Sequence, residues 1–211
     1  MKKIVLAAAV VAMPLVLVAG TAGIAGAGGP ATDVSHATIT CTSVTAGMRF
    51  APALTAAGGQ PLKAHVKLLL SGCTVSGVSG VTVSLGVASG GFLGANNSAT
   101  ALAGTTTVTG LIDVKWSSNV RLTSKMSMLT VTATTGGTSG SYASISIGPG
   151  QATVSGDFAG TDGGTSPAMY VESAETIATL GGELVPPAKG IKTLGFGTAG
   201  THLLGNSLHL G

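Results

Sequence analysis

The stretch that decides the fold is residues 62–73, LKAHVKLLLSGC. Apolar and polar residues alternate along it, as in a β-strand with one buried face and one wet face. The apolar set is Leu62, Ala64, Val66, Leu68 and Leu70, and the polar set is Lys63, His65 and Lys67. The run stops at Ser71 and Gly72 and leads to Cys73, one of two cysteines in the chain. We therefore predict a central strand pinned by a disulfide, with the other strands laid around it.

The N-terminal residues predict export. Lys2 and Lys3 form a positive n-region, residues 4–19 are apolar apart from one proline, and residues 25–27 offer small side chains for cleavage. An uncleaved anchor is the alternative, but the apolar run is shorter than the roughly 20 residues that span a bilayer. We expect a signal peptide over residues 1–27, a flexible mature N-terminus over 28–36 and one domain over 37–211. The mature protein is expected to be secreted or extracytoplasmic, released or held at the cell envelope, without a stable transmembrane anchor.

The charge of the mature chain is nearly balanced. Lys2 and Lys3 leave with the leader, so eight of the ten Lys and Arg residues face seven Asp and Glu residues. A net charge near +1 gives no electrostatic case for a nucleic acid or an anionic membrane surface as partner.

The two cysteines of an exported chain are expected to bond to each other. A Cys41–Cys73 bond would close a loop of about 33 residues, worth roughly 3 to 4 kcal/mol on the chain-entropy description. A reactive thiol is the alternative, but neither cysteine has a CxxC partner or an adjacent His or Arg to lower its pKa.

Composition and periodicity predict an all-β fold. The 34 glycines punctuate alternating runs rich in Thr, Ser and Val, which suit pleated strands better than helices. Roughly nine or ten strands at 10 to 15 residue spacing favour an antiparallel β-sandwich. The expected strand segments are residues 37–42, 48–54, 62–70, 81–87, 105–116, 128–133, 143–147, 152–158, 169–171, and a last hairpin of 191–196 with 201–204.

Breaks in these runs give local predictions. Residues 89–98 are expected to be a loop, Pro52 an edge, bulge or strand end, and Gly110 a bulge or a close backbone crossing. One short helix near the C-terminus is predicted over residues 174–180, with Ser173 as its cap and Glu175 in its first turn.

Four short motifs carry a resemblance to a known family: ITCT at 39–42, MRFAPAL at 48–54, LSGCT at 70–74 and VKW at 114–116. With these the chain resembles a family of exported actinobacterial β-sandwich proteins of uncharacterised function, over most of its mature length. Members of that family often carry a second cysteine pair, and residues 97–99 and 181–182 stand at the corresponding positions here. The resemblance implies export and a sandwich fold, and it brings no activity and no catalytic residues.

Motifs for nucleophilic or metal chemistry are incomplete. The closest approach to a G-x-S-x-G elbow is GNSLH at 205–209, which ends in His. The four histidines, His36, His65, His202 and His209, have no close metal-binding spacing. Since His65 lies between Lys63 and Lys67, we expect it on the surface rather than at a metal.

Two carboxylate pairs are candidates for glycoside hydrolysis. Asp157 and Asp162 share a glycine-rich loop, where they are also candidate calcium ligands, and Glu172 and Glu175 bracket the predicted helix start. Asx turns and the helix dipole explain these positions without chemistry. The loop also lacks the D-x-D-x-D-G spacing of a calcium loop.

Aromatic residues are scarce, with one Trp, two Tyr and four Phe. Trp116 shares a strand face with Ile112 and Val114, so we expect it in the core rather than stacking on a ligand. The scarcity also disfavours a glycan cleft and the aromatic girdles of an outer-membrane barrel.

The sequence thus predicts an exported, non-enzymatic envelope or extracellular protein with a structural, adhesive or ligand-binding role. The alternatives are a secreted hydrolase using Asp157, Asp162 or Glu172, and an envelope pore or lipid-associated protein. No catalytic, cofactor-binding or metal-binding residue and no cofactor is assigned, and the expected partners are envelope components or a small ligand.

Overall fold

A computed structural model describes residues 30–99, 106–138, 142–161, 168–176, 190–197 and 207–211. These residues form ten strands that pair antiparallel in one sheet. The strands are β1 (Thr38–Leu54), β2 (Leu62–Ser76), β3 (Val83–Gly94), β4 (Thr106–Ser118), β5 (Met126–Thr138), β6 (Tyr142–Ile147), β7 (Ala152–Gly156), β8 (Ala168–Thr176), β9 (Ile191–Phe196) and β10 (Ser207–Leu210). The prediction of an all-β antiparallel fold is confirmed.

Strand β2 contains the stretch from which the fold was predicted. From Leu62 to Leu70 its side chains alternate between buried and exposed, and the strand continues beyond Gly72 to Ser76. It pairs with β1 on one edge and with β3 on the other. Cys41 of β1 lies directly opposite Cys73, and the two form a disulfide with Cα atoms 3.9 Å apart. The central strand and its disulfide are therefore confirmed.

The sheet closes into a barrel, so the predicted two-layer sandwich is wrong. Strand β1, 17 residues long, pairs with β2 along one edge. On its other edge it pairs with β10 near its start and with β9 near its end, and both of these short strands also pair with β8. Since β8 continues through β6 to β5, eight strands complete a circuit and two lie outside it. The length of β1 makes this closure possible, and closure removes the open edges that a sandwich would leave.

The interior of the barrel is a packed apolar core. Inward side chains of six strands meet around a void of only about 10 Å³, which is at the lower limit for one water and has no polar lining to hold it. The residues around this void are Leu68, Leu70, Ala88, Ile112, Val114, Leu129, Met169 and Leu208. Around this void the described side chains are apolar and closely packed, unlike the polar interior of a channel.

Near the C-terminus, the structure differs from the predicted helix at 174–180 and from the predicted pairing of the strand at 191–196. Strand β8 runs to Thr176, which pairs with Tyr142 of β6, so the predicted helix is wrong over residues 174–176. The hydrogen bonds of this pairing outweigh the local helix signals at Ser173 and Glu175. Residues 177–180 and 201–204 lie outside the described residues. The strand at 191–196 is confirmed, and its partners are β1 and β8.

Pro52 lies at an irregular place in β1 and Gly110 lies at a close backbone approach, each one of the options that the sequence predicted. The Ala51–Pro52 peptide is cis, and the register between β1 and β9 shifts between Arg49 and Leu54. At Gly110 the ladder is regular, and a Cβ there would lie 2.4 Å from the carbonyl oxygen of Gly91 and 2.7 Å from Cδ1 of Phe92. Gly110 is therefore a close crossing and not a bulge.

Part of the segment expected to be flexible is attached to the barrel. Thr32 exchanges backbone hydrogen bonds with residues 121 and 123, and the carbonyl of Val34 accepts from the amide of Phe158. The Val34 side chain is buried. Burial of Val34 and Ala37, together with the paired backbone, holds residues 32–37 against the barrel.

Candidate functional site

The outward side chains of β2–β5, which we call the outer face, carry an exposed apolar patch. All five large hydrophobic side chains that the structure records as exposed lie on this face. They are Leu69 of β2, Val87 and Leu93 of β3, Leu111 of β4 and Met128 of β5. Leu93 is 58% exposed and Leu111 65% exposed, so both project well into solvent. A cluster of exposed apolar side chains on one face is typical of an interaction site.

A hollow of about 540 Å³ lies on this face and is lined by two of the five side chains, Leu93 and Leu111. Its floor is at Gly91, which pairs with His65 on one side and with Leu111 on the other. Because Gly91 has no side chain, the position between His65 and Leu111 on this face is open. The lining also includes Lys63, Thr109, Thr130 and Thr132, so the rim is polar.

The sequence prediction missed this site because it placed residues 89–98 in a loop. Residues 89–94 are in fact the second half of β3. At Gly90 an added Cβ would lie 2.1 Å from the Leu111 carbonyl oxygen, so the glycine permits the close approach of β4. The pair of glycines that resembled a turn is thus a strand interior. Only the long-range pairing with β2 and β4 distinguishes this strand interior from a turn.

A bulge in β3 also moved one residue to this face. Val81, Val83, Leu85 and Val87 occupy alternate positions of the predicted strand 81–87, but the register shifts between Val83 and Leu85. Val81 and Val83 are buried, whereas Val87 is 49% exposed. The shift turns Val87 outward beside Leu69, with which it pairs.

Positive charge is concentrated beside the apolar patch. Arg49 pairs with His65, and Lys63 and Lys67 flank that histidine on the exposed side of β2. We call these four residues the basic edge. Lys115 adds a cation on β4, and Asp113 is the only acidic residue in β1–β5. The nearly neutral net charge of the chain therefore conceals a basic outer face, which residue counting could not show.

The predicted histidine sites do not come together. His65 lies exposed on the outer face, as predicted, and His36 is exposed in the N-terminal segment. His209 contacts Thr40 Oγ1 through Nδ1 and the carbonyl of Gly211 through Nε2, both at 2.8 Å. His202 lies outside the described residues. Within the described ranges, no three residues among His, Cys, Asp and Glu form a metal-binding group.

The candidate carboxylates also lie apart in the fold. Glu172 and Glu175 belong to β8, whereas Asp157 lies in the turn after β7. Asp162 lies outside the described residues. Ser207 of the GNSLH motif lies in β10, where the regular pairing with β8 gives it no nucleophile elbow.

Asp157 is buried, with 1% of its surface exposed. Its Oδ1 accepts from the amide of Ser124 at 3.2 Å, and Oδ2 has no hydrogen-bond partner. Burial raises the pKa of this carboxyl above its ordinary value, and the neighbouring Asp33 adds to the rise. Backbone hydrogen bonds from Ser124 and Lys125 oppose it only in part.

Trp116 packs beside Asp157. Its ring meets that of Phe158 edge to face at 5.4 Å, and its Nε1 donates to Ser127 Oγ at 2.8 Å. The Ser127 hydroxyl donates in turn to the backbone carbonyl of Asp157. Trp116 is thus part of the packing at this end of the barrel, as predicted.

Comparisons with protein families, with curated proteins and with solved structures gave no match for this chain. Among the described residues, no helix is both long and apolar enough to span a membrane.

Proposed function

We propose that this is an exported, non-enzymatic protein that docks on the anionic lipid surface of the cell envelope through the outer face of β2–β5. Export is supported by the leader pattern of residues 1–27 and is compatible with the Cys41–Cys73 disulfide. Docking is a form of the lipid-associated alternative that the sequence left open, and it names anionic lipid headgroups as the partner.

The observation that carries the proposal is the joint placement of apolar and basic side chains. Leu93 and Leu111 both line the hollow at Gly91, and Lys63 and His65 of the basic edge line it from β2. Projecting aliphatic side chains bury their surface in the acyl region, while adjacent cations pair with lipid phosphates. A neutral apolar ligand would leave the basic edge without a partner, and a soluble anion would leave the exposed leucines without one.

The expected binding free energies indicate a weak, reversible association with the lipid surface. Each Lys or Arg close to an anionic surface contributes about 1 kcal/mol, and this attraction is screened beyond about 10 Å at 0.1 M salt. Arg49, Lys63 and Lys67 together would contribute about 3 kcal/mol. The apolar patch adds a part that salt does not screen.

Flotation with lipid vesicles tests the proposal. The mature protein is expected to float with phosphatidylglycerol vesicles and to remain behind with phosphatidylcholine vesicles, in 0.1 M salt. Changing Lys63→Gln and Lys67→Gln together removes about 2 kcal/mol, so the affinity for the anionic vesicles should fall about 30-fold. Arg121→Gln is the matched control, because Arg121 is exposed in the loop after β4, away from the outer face.

Failure of the wild-type protein to bind phosphatidylglycerol vesicles would overturn the proposal. A loss of binding free energy in the Arg121 variant that is half of the loss in the double lysine variant would also contradict it, since each removed charge would then count equally wherever it lies. Binding to both kinds of vesicle with no effect of the lysines would point to a nonspecific apolar contact.

A further inference from the structure

We infer that Asp157 and Asp33 together hold a divalent cation of the calcium type, at the junction where residues 32–37 meet the end of the barrel. This site is independent of the outer face and of its proposed lipid partner.

The backbone brings the two acids into adjacent positions. The amide of Phe158 donates to the carbonyl of Val34 at 3.1 Å, and the amide of Gly160 donates to the carbonyl of Ser35 at 2.9 Å. Asp157 and Asp33 immediately precede the first of these pairs in the chain. In agreement with this placement, the charge of Asp33 adds to the rise in the pKa of Asp157.

The Asp157 carboxyl has one oxygen that the protein does not satisfy. Oδ1 accepts from the amide of Ser124, but Oδ2 is buried without a hydrogen-bond partner. It is the only buried side-chain oxygen or nitrogen so recorded in the described ranges. Such groups are rare in folded proteins, because an unsatisfied buried polar atom is costly.

Asp33 supplies a second carboxylate from the solvent side. It is exposed, and its Oδ1 accepts from the amide of Ser35 at 2.8 Å. This hydrogen bond closes an Asx turn, which orients the side chain, and it is the main reason that the pKa of Asp33 is lowered. Asp33 is therefore ionised at neutral pH and available to a cation shared with Asp157.

Calcium fits this arrangement better than magnesium does. Ca²⁺ accepts six to eight oxygen ligands in irregular geometry, including backbone carbonyls and waters, whereas Mg²⁺ demands a near-ideal octahedron. With two carboxylates, we expect half-saturation at about 10⁻⁴ to 10⁻³ M, the range of extracellular calcium modules. The bound ion would attach the N-terminal segment to the turn after β7.

Terbium luminescence gives a direct readout, because the only tryptophan of the chain lies beside Asp157. Tb³⁺ substitutes for Ca²⁺ at oxygen sites and emits when an adjacent indole is excited. The mature protein should give sensitised emission that excess Ca²⁺ abolishes. Asp33→Asn should weaken Tb³⁺ binding at least ten-fold and Asp157→Asn should remove it. The matched control Asp113→Asn, at an exposed position on β4, should have no effect.

A second measurement guards against variants that lose the fold. The thermal midpoint of the wild-type protein should rise when EDTA is replaced by millimolar Ca²⁺, and that of Asp33→Asn should not. Because Asp33 is exposed, this variant is expected to fold whatever happens to Asp157→Asn.

Absence of sensitised emission together with an unchanged midpoint would show that Asp157 is a buried, protonated carboxyl and would overturn the inference. Emission that persists in both Asp33→Asn and Asp157→Asn would do the same, since the ion would then be bound elsewhere.

Discussion

Replacing Cys73 with Ser should lower the free energy of unfolding by about 3.7 kcal/mol. The disulfide joins residues 32 positions apart and so closes a loop of about 33 residues in the unfolded chain. Chain entropy assigns such a loop about 12.5 cal/mol/K, which is 3.7 kcal/mol at 25 °C. Cys41, left as a buried thiol, behaves as a small apolar side chain and adds little to the loss.

Urea unfolding followed by Trp116 fluorescence measures this change. With a slope of about 2 to 3 kcal/mol per M, the midpoint should fall by between about 1 and 2 M urea. Adding a thiol reductant should lower the wild-type midpoint to that of the variant and leave the variant unchanged. Equal midpoints for the two proteins without reductant would refute the reasoning.

Three further predictions concern single positions. Asn97→Ala should destabilise the protein by about 2 to 3 kcal/mol in urea unfolding, because the Asn97 amide is buried, donates to the Ala53 carbonyl and accepts from the Gln60 amide; an unchanged midpoint would contradict this. Gly110→Ala should cost about 1 to 3 kcal/mol because its Cβ would overlap backbone, whereas the control Gly47→Ala, with nothing within 4 Å, should be neutral or slightly stabilising. In EDTA, the thermal midpoint should fall as pH rises from about 4 through the raised pKa of Asp157. The reason is that the folded state holds this proton more tightly than the unfolded state does and loses it over this range. The Asp157→Asn variant should show a flatter pH dependence, and a slope identical to that of the wild-type protein would contradict the prediction.

The sequence was informative where local periodicity decides the structure. The alternation along β2 predicted which of its side chains are buried, and the alternation in the predicted strand 128–133 matches the burial of Leu129, Val131 and Ala133. In both strands a side chain points either to solvent or to the core, and its hydrophobicity decides which of the two faces it occupies. The disulfide was predicted from the expected export and from the presence of only two cysteines.

Closure of the barrel could not be predicted from the same signals. A period of two tells which face of a strand is buried, but it does not tell whether the far edges of the sheet meet. That depends on β9 and β10 both reaching β1, over sequence separations of more than 100 residues. The helix signals at 174–176 failed for a related reason, since pairing with β6 outweighed them.

The outer face was hidden by two local effects and one long-range effect. The glycines at 90 and 91 resembled a loop, and the bulge after Val83 reversed the orientation of Val87. The long-range effect is the gathering of cations from β1, β2 and β4, which a count over the whole chain averages away. The local sequence around Gly90 and Gly91 therefore did not predict the outer face, which depends on the pairing of β2–β5.

The most direct test of the proposed function is the affinity of a Leu93→Ser, Leu111→Ser double variant for phosphatidylglycerol vesicles. The two side chains are 58% and 65% exposed, so their removal should leave the unfolding midpoint nearly unchanged. Full burial of a leucine is worth about 1.5 to 3 kcal/mol, so moving these exposed fractions into lipid contributes about 2 to 4 kcal/mol in total. We predict an affinity at least about 30-fold below that of the wild-type protein. An unchanged affinity in a variant with an unchanged melting midpoint would contradict docking through the outer face.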